Sequence, residues 1–194
     1  MPKLWNNTIE AHRREVREAI IDATASLVGE HGVLGVTMSG VAQRSGIGRA
    51  TLYKYFPDVE AILHAWHHRQ IDAHLAELAA LRDSSGAAVE RLRNVLHAYA
   101  RIAHQRTQHD PELGAVLHRT HQGGHGADAR SRLHTLLTEL IADGAADGSL
   151  RTDVSADELA QFCLHALDAA TGMPEPDAVH RLVAVTMAGL QPQA

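Results

Sequence analysis

Thr37-Met38-Ser39-Gly40-Val41-Ala42-Gln43-Arg44-Ser45-Gly46-Ile47-Gly48-Arg49-Ala50-Thr51-Leu52-Tyr53-Lys54-Tyr55-Phe56 is the stretch on which the reading of this chain turns. Thr37 suits a helix N-cap, because its hydroxyl can accept from an unpaired first-turn N–H. Met38, Val41 and Ala42 then give a short helix one apolar side, and Ser45-Gly46 breaks it. A second short helix follows from about Gly48 to Tyr55. Two short helices around a Gly-containing break are the helix-turn-helix layout. The second helix turns Leu52 and Phe56 inward and presents Arg49, Thr51, Tyr53, Lys54 and Tyr55. Arg and Lys reach guanine acceptors or phosphates, and Thr and Tyr hydroxyls donate to phosphates. Gly48 leaves the helix N-terminus unobstructed for a phosphate. Spacing alone leaves two readings open: a helix meant for a major groove, or an ordinary helical hairpin with a polar face.

Outward from this stretch the chain keeps a helical period. Upstream, a helix opens near Asn7, with Glu10 as capping-box partner, and carries Ile9, Val16, Ile20, Ala23 and Leu27 to a stop at Gly32. Downstream, a long helix spans about Asp58 to Arg82. Another carries Val89, Leu92, Leu96, Tyr99 and Ala103, and Asp110-Pro111 opens a shorter one with Leu113, Val116 and Leu117. Gln122 to Gly126 reads as a flexible Gly-His loop. A further helix carries Leu133, Leu136, Leu137, Leu140 and Ile141. Ser155 with Glu158 is a second capping box, and a last helix runs from about Asp177 to Leu190. The expectation is an all-α chain of about nine helices.

Composition bounds the function. The 194 residues are 45% hydrophobic and 21% charged, enough apolar material for a packed core. One cysteine, Cys163, excludes an internal disulfide and a Cys-rich zinc site. The N-terminus has no apolar signal-type core and no stretch is long enough to span a bilayer, so no membrane partner and a cytoplasmic location are expected. The net charge of -5 at first argues against nucleic acid. It is unevenly spread: residues 1–56 hold seven Lys or Arg against five Asp or Glu, and residues 57–194 hold eleven against eighteen. The head is mildly basic and the acidity lies in the body.

Ile20-x-x-Ala23, Glu30-His31-Gly32, Val36-Thr37, Val41-Ala42, Ser45 through Phe56 and Glu60-Ala61-Ile62-Leu63 together resemble the N-terminal domain of the tetracycline-repressor (TetR) family. The remainder is similar in style, with Gly148-x-Leu150-Arg151-x-Asp153-Val154 before the helix at Ser155. The resemblance implies a three-helix DNA-binding domain over 1–56 and a helical effector-binding and dimerisation domain over 57–194. It implies a homodimeric transcriptional regulator, usually a repressor, released from a double-stranded DNA operator by a small-molecule effector. Carried over by position, it puts Thr37 on the phosphate backbone, Arg49, Ala50 and Thr51 at the base-reading start of the recognition helix, and Tyr53, Lys54 and Tyr55 at its backbone- and groove-facing end. Two departures stand out. Val59 occupies a place where the family often has Lys, and Gly40 sits inside a helix, at a cost of about 1 kcal/mol relative to Ala. Arg13 and Arg14, with Lys3, His12 and Arg17, form a candidate arm toward neighbouring phosphates or the minor groove; a solvated helix start accounts for them equally.

The last two helices are apolar on more than one side, so they are buried on more than one side. A second copy of the same pair supplies the missing partner, with Leu159, Cys163, Leu167, Val179, Leu182, Val183 and Leu190 as the interface. A central helix in a monomeric core is the other reading. A two-fold dimer would place its recognition helices roughly 34–36 Å apart, one turn of DNA. For an organic effector held between helices, the candidate lining is Leu96, Tyr99, Ala103, Val116, Leu117, Leu137 and Phe162, all residues that a plain core also uses. The 15 histidines raise a metal-sensing alternative: His64 and His68 are i,i+4, and His118, His121 and His125 form a second cluster. A small His/Asp enzyme is the rival class, but no His-Glu-x-x-His or Ser-centred motif is present, and neither catalysis nor a cofactor is expected.

Overall fold

The computed structural model describes residues 2–109 and 124–192. Among these residues there are eight α-helices and no strand: α1 (Pro2–His31), α2 (Met38–Ser45), α3 (Arg49–Tyr55), α4 (Val59–Arg82), α5 (Ala88–His109), α6 (Gly124–Ala146), α7 (Ala156–Asp168) and α8 (Pro176–Ala188). The all-α expectation holds. The expected helix opening at Asp110-Pro111, with Val116 and Leu117, and His118 and His121 beyond it, lie outside the described residues. So does the start of the Gly-His loop, whose Gly124 and Gly126 instead open α6. No helix among the described residues is long and apolar enough to cross a membrane.

The chain divides into two compact units, one ending at Gln70 and the other starting at Ile71. In the first, Ile20, Ile21, Ala23 and Leu27 of α1 meet Val41 and Ala42 of α2, Leu52 and Phe56, and Ile62 and Ala65 of α4. The unit therefore runs past the 56/57 boundary drawn from sequence, because the opening turns of α4 fill its core. Val59, in the place of the family's Lys, is half-buried against that core. Helix α1 begins at Pro2, ahead of the expected start near Asn7. Proline fits a first turn, where its missing N–H is not needed. Arg13 and Arg14 consequently stand on a helix, exposed, and not on an extended arm.

Local chemistry sets the turn between α2 and α3. Thr37 Oγ1 accepts from Gly40 N–H at 3.0 Å, as its N-cap role requires. Gly40 now has a reason: a Cβ there would stand 3.3 Å from Thr37 Oγ1 and 3.6 Å from Leu27 Cδ1. Its bareness leaves room for the Thr37 cap, while the Leu27 contact would be of ordinary van der Waals length. Gly46 closes α2 at φ 69°, the left-handed conformation common just past a helix end. Leu52 of α3 is fully buried, and Phe56 follows it into the same core.

In the second unit, α5 and α6 pack with α7 and α8 around Leu92, Leu96, Leu137, Leu140, Ile141, Leu164 and Val183. The Ser155–Glu158 capping box is present: Ser155 Oγ accepts from Glu158 N–H, and Glu158 accepts from Ser155 N–H at 3.2 Å. Arg151 closes the other end of the helix pair. Its guanidinium donates to the Gly189 carbonyl at 3.0 Å, satisfying an acceptor left over at the end of α8, while Asp153 holds it in a two-pronged ion pair.

A Cβ on Gly46 would meet no atom within 4 Å, so substitution there tests the backbone alone. Gly46→Ala is expected to lower stability by about 1–2 kcal/mol, the cost of a left-handed L-residue, with Gly46→Asn costing less. Urea denaturation followed by circular dichroism checks this order.

Candidate nucleic-acid interface

Helix α3 is seven residues long and buries one side chain of its own, Leu52. Arg49, Ala50, Thr51, Tyr53 and Lys54 are all exposed. Tyr55 departs from the expected surface set: it is half-buried and packs against the core beside Phe56. The reason is angular. Leu52 and Phe56 are four apart and share the inward face, and Tyr55, three from Leu52, stands beside them. Thr37 is exposed at the start of α2. Its oxygen already accepts from Gly40, so its hydroxyl hydrogen remains to donate outward.

The cations of this unit fall into two groups. Arg44 of α2 makes a two-pronged pair with Glu30 of α1, at 2.7 and 2.6 Å. That hydrogen bonding, and then the guanidinium charge, hold the Glu30 carboxyl below its ordinary range. Arg69 of α4 bridges Glu18 and Asp22 of α1 at 2.9 and 2.8 Å. Arg17 lies over the Phe56 ring, 5.0 Å from its centroid. Among the described residues, Arg49 and Lys54 pair with no carboxylate, and neither do Arg13 and Arg14. The paired arginines tie α1 to α2 and α4, and the unpaired charge remains where α3 faces outward. Spacing did not anticipate the Arg44, Arg69 and Arg17 contacts, since each joins residues far apart in the chain.

The residues assigned from sequence to a dimer contact sit elsewhere. Leu159, Cys163 and Leu167 of α7, Val179 and Val183 of α8, and Leu190 are buried in the core of the chain itself, and Leu182 is half-buried against it. Leu164 and Met187, which lay off the expected faces, are buried there too. Phe162, assigned to an effector pocket, is 46% exposed, and its ring edge reaches within 3.4 Å of a Cβ position at Gly189. Cys163 shares its inward face with Leu159 and Leu167, each four residues away, and Phe162 falls outside the buried arc. Val185 of α8 is 69% exposed. Of the other pocket candidates, Leu96, Ala103 and Leu137 are core, and Val116 and Leu117 are outside the described residues. Tyr99 is half-buried, and its hydroxyl donates to Asp168 at 3.0 Å; Arg130 donates to the other oxygen of that carboxylate at 3.2 Å. His64 and His68 have ring centroids 6.2 Å apart, and no group of three or more possible metal ligands occurs among the described residues.

Among the described residues, the short pair α2 and α3 around Gly46, with α3 polar and cationic on its outer face, defines the class of helix-turn-helix proteins. Residues 20–66 match the family described as bacterial regulatory proteins, tetR family. Residues 93–192, just over half the chain, match the C-terminal domain of SbtR-like transcriptional regulators. This chain belongs to the TetR family. The HTH-type transcriptional regulator BetI of Agrobacterium fabrum is 32% identical over 101 residues, which are 52% of this chain and 47% of BetI, so the match spans about half of that relative's length. A TetR/AcrR-family regulator from Thermobifida fusca has the same fold, with a TM-score of 0.74 at 21% identity over 89% of this chain and 97% of the other. FadR from Bacillus subtilis, solved in complex with stearoyl-CoA, gives a TM-score of 0.61 at 15% identity over 90% and 99%.

Burial pushes the Cys163 thiol up to about 12, leaving almost no thiolate at neutral pH. A thiol-reactive disulfide reagent is therefore expected to label the native chain only as fast as it unfolds, and to label it immediately in denaturant. Absorbance of the released thiolate measures both rates.

Proposed function

We propose that this chain is a DNA-binding transcriptional regulator that reads an inverted-repeat operator as a homodimer in the cytoplasm and is released by a small organic effector. The observation that carries the reading is the surface of α3: Arg49, Ala50, Thr51, Tyr53 and Lys54 exposed together over a single buried anchor, with both cations unpaired while Arg44 and Arg69 are neutralised. Arg49 and Thr51 meet base edges, Thr37, Tyr53 and Lys54 meet phosphates, and the exposed Arg13 and Arg14 extend the positive surface. Tyr55 supports the helix from its edge.

The dimer forms through the outer faces of α7 and α8. Phe162 and Val185 are the large apolar groups left exposed there, and the inner faces are committed to the chain's own core. A two-fold pairing of such faces is self-complementary. The effector binds within the second unit, where α5, α6 and α7 bring Tyr99, Arg130 and Asp168 beside a core of leucines. An effector that prefers the arrangement with misplaced recognition helices lowers DNA affinity by its differential binding. The relatives' names, and an acyl-CoA held by FadR, support an effector-responsive regulator over an enzyme.

Selection of bound fragments from random duplex DNA is expected to recover two half-sites related by a two-fold, about one helical turn apart. Against the recovered site, Arg49→Ala is expected to weaken binding roughly 10- to 100-fold and to relax preference at one position per half-site. Lys54→Ala weakens all sequences alike and lowers the salt slope by about one per chain. Equal affinity of wild type and Arg49→Ala in a mobility-shift titration overturns the assignment. For the dimer, Phe162→Glu with Val185→Glu is expected to give monomers in sedimentation at micromolar concentration without loss of helix content.

A further inference from the structure

We propose that His97 of α5 and His180 of α8 form a two-imidazole site for a divalent transition-metal ion of the copper, nickel and zinc class. The site lies in the second unit, on α5 and α8, and metal binding there does not depend on DNA binding.

The geometry comes first. The two ring centroids are 5.1 Å apart, with the planes tilted by 49°. An ion bound through one ring nitrogen at about 2.0–2.1 Å lies roughly 3.2 Å from that ring's centroid, so a tetrahedral angle at the ion puts two centroids about 5 Å apart. The His64–His68 pair on α4, at 6.2 Å, is wider than this. The backbones that carry His97 and His180 are fixed before any ion arrives. Leu96 and Ala98 flank His97 and are buried, and so is Val179 beside His180. The ion meets two ligands whose rings already lie at a chelating separation on backbones that are in place.

The electrostatics agree. His97 is half-buried, and desolvation, then the neighbouring His180 and Arg93, hold its pKa below the ordinary imidazole value. The ring is neutral at physiological pH, with a lone pair to give. His180 is exposed, so the ion has a path in and water can fill its remaining positions. Two cations share the His97 side of α5, one turn before and one turn after: Arg93 is paired with Glu90, and Arg101 with Glu77, which offsets part of their charge toward an ion. Imidazoles without carboxylate or carbonyl partners select copper, nickel or zinc over magnesium or calcium. An ion held by both rings ties α8 to α5, and stabilises the unit by the usual linkage.

The test uses the tag-free full chain, stripped with chelator and titrated calorimetrically with Cu2+ and separately with Zn2+. Wild type is expected to bind one ion per chain, and the affinity is expected to fall at least roughly tenfold in His97→Gln and in His180→Gln alike. Binding is retained in the double variant His64→Gln, His68→Gln. Added metal raises the thermal midpoint of wild type and leaves that of His180→Gln unmoved; His180 is on the surface, so the metal-free midpoint of that variant matches wild type and reports that it is folded. The electron paramagnetic resonance spectrum of the Cu2+ form shows nitrogen coupling that both single variants reduce. Absence of saturable binding, or binding that survives in both His97→Gln and His180→Gln, overturns the proposal.

Discussion

Everything presented by α3 depends on the burial of Leu52. A seven-residue helix does not persist in water by its own hydrogen bonds, because nucleation is too costly to recover over so few residues. Leu52 is fully buried, and Phe56, just beyond the helix end, is 4% exposed. Those two contacts, four residues apart, fix both the position of α3 and its rotation about its axis. Rotation decides function: with Leu52 inward, Arg49, Thr51, Tyr53 and Lys54 have no choice but to face out. The opposing wall comes from Ile20 and Ile21 of α1, Val41 of α2 and Ile62 of α4. The first unit therefore cannot stop where the recognition helix stops.

Charge follows the same division of labour. Within the first unit, two arginines are spent on structure, Arg44 on Glu30 and Arg69 on Glu18 and Asp22. Each pair is substantially exposed, so its contribution to stability is small. Its larger effect is to neutralise carboxylates on α1 that would otherwise repel a polyanion. The net excess of two positive charges over residues 1–56 thus understates the surface, because it counts paired and unpaired groups alike. What faces outward at α3 is cationic, with no carboxylate partner for Arg49 or Lys54 among the described residues.

Periodicity and punctuation made most of this legible in the sequence. Thr37, Gly46 and the Ser155–Glu158 box mark helix ends through local chemistry, and local chemistry is what a sequence displays. The order of helices and the inward pair Leu52 and Phe56 were readable for the same reason. The start of α1 was not, since Asn7 with Glu10 imitates a cap that the continuing helix overrides. Nor was the reason for Gly40, whose Cβ position would crowd the Thr37 Oγ1 that caps the helix. Arg151 escaped too: its partner, the Gly189 carbonyl, is distant in the chain and is a backbone atom. Interactions that join distant segments through polar groups leave no period to detect.

The α7–α8 pair shows how burial on more than one side of a helix is met within one chain. Apolar groups on more than one side of each helix implied two partners, and the large ones were assigned to a second chain. The structure gives Leu159, Cys163, Leu164 and Leu167, and Val179, Val183 and Met187, to the chain's own core. A helix wedged between several others of its own chain needs a wide apolar arc, wider than a surface helix needs. The outer faces are then the minority positions, Phe162 and Val185, set among small residues such as Ala184 and Ala188. In the dimer proposed above, small residues let two helices come close, and a pair of large apolar groups among them supplies the area for association. Among the described residues of α7 and α8, Phe162 and Val185 are the large apolar groups that the chain's own core leaves uncovered, and the density of apolar residues along each helix does not pick them out.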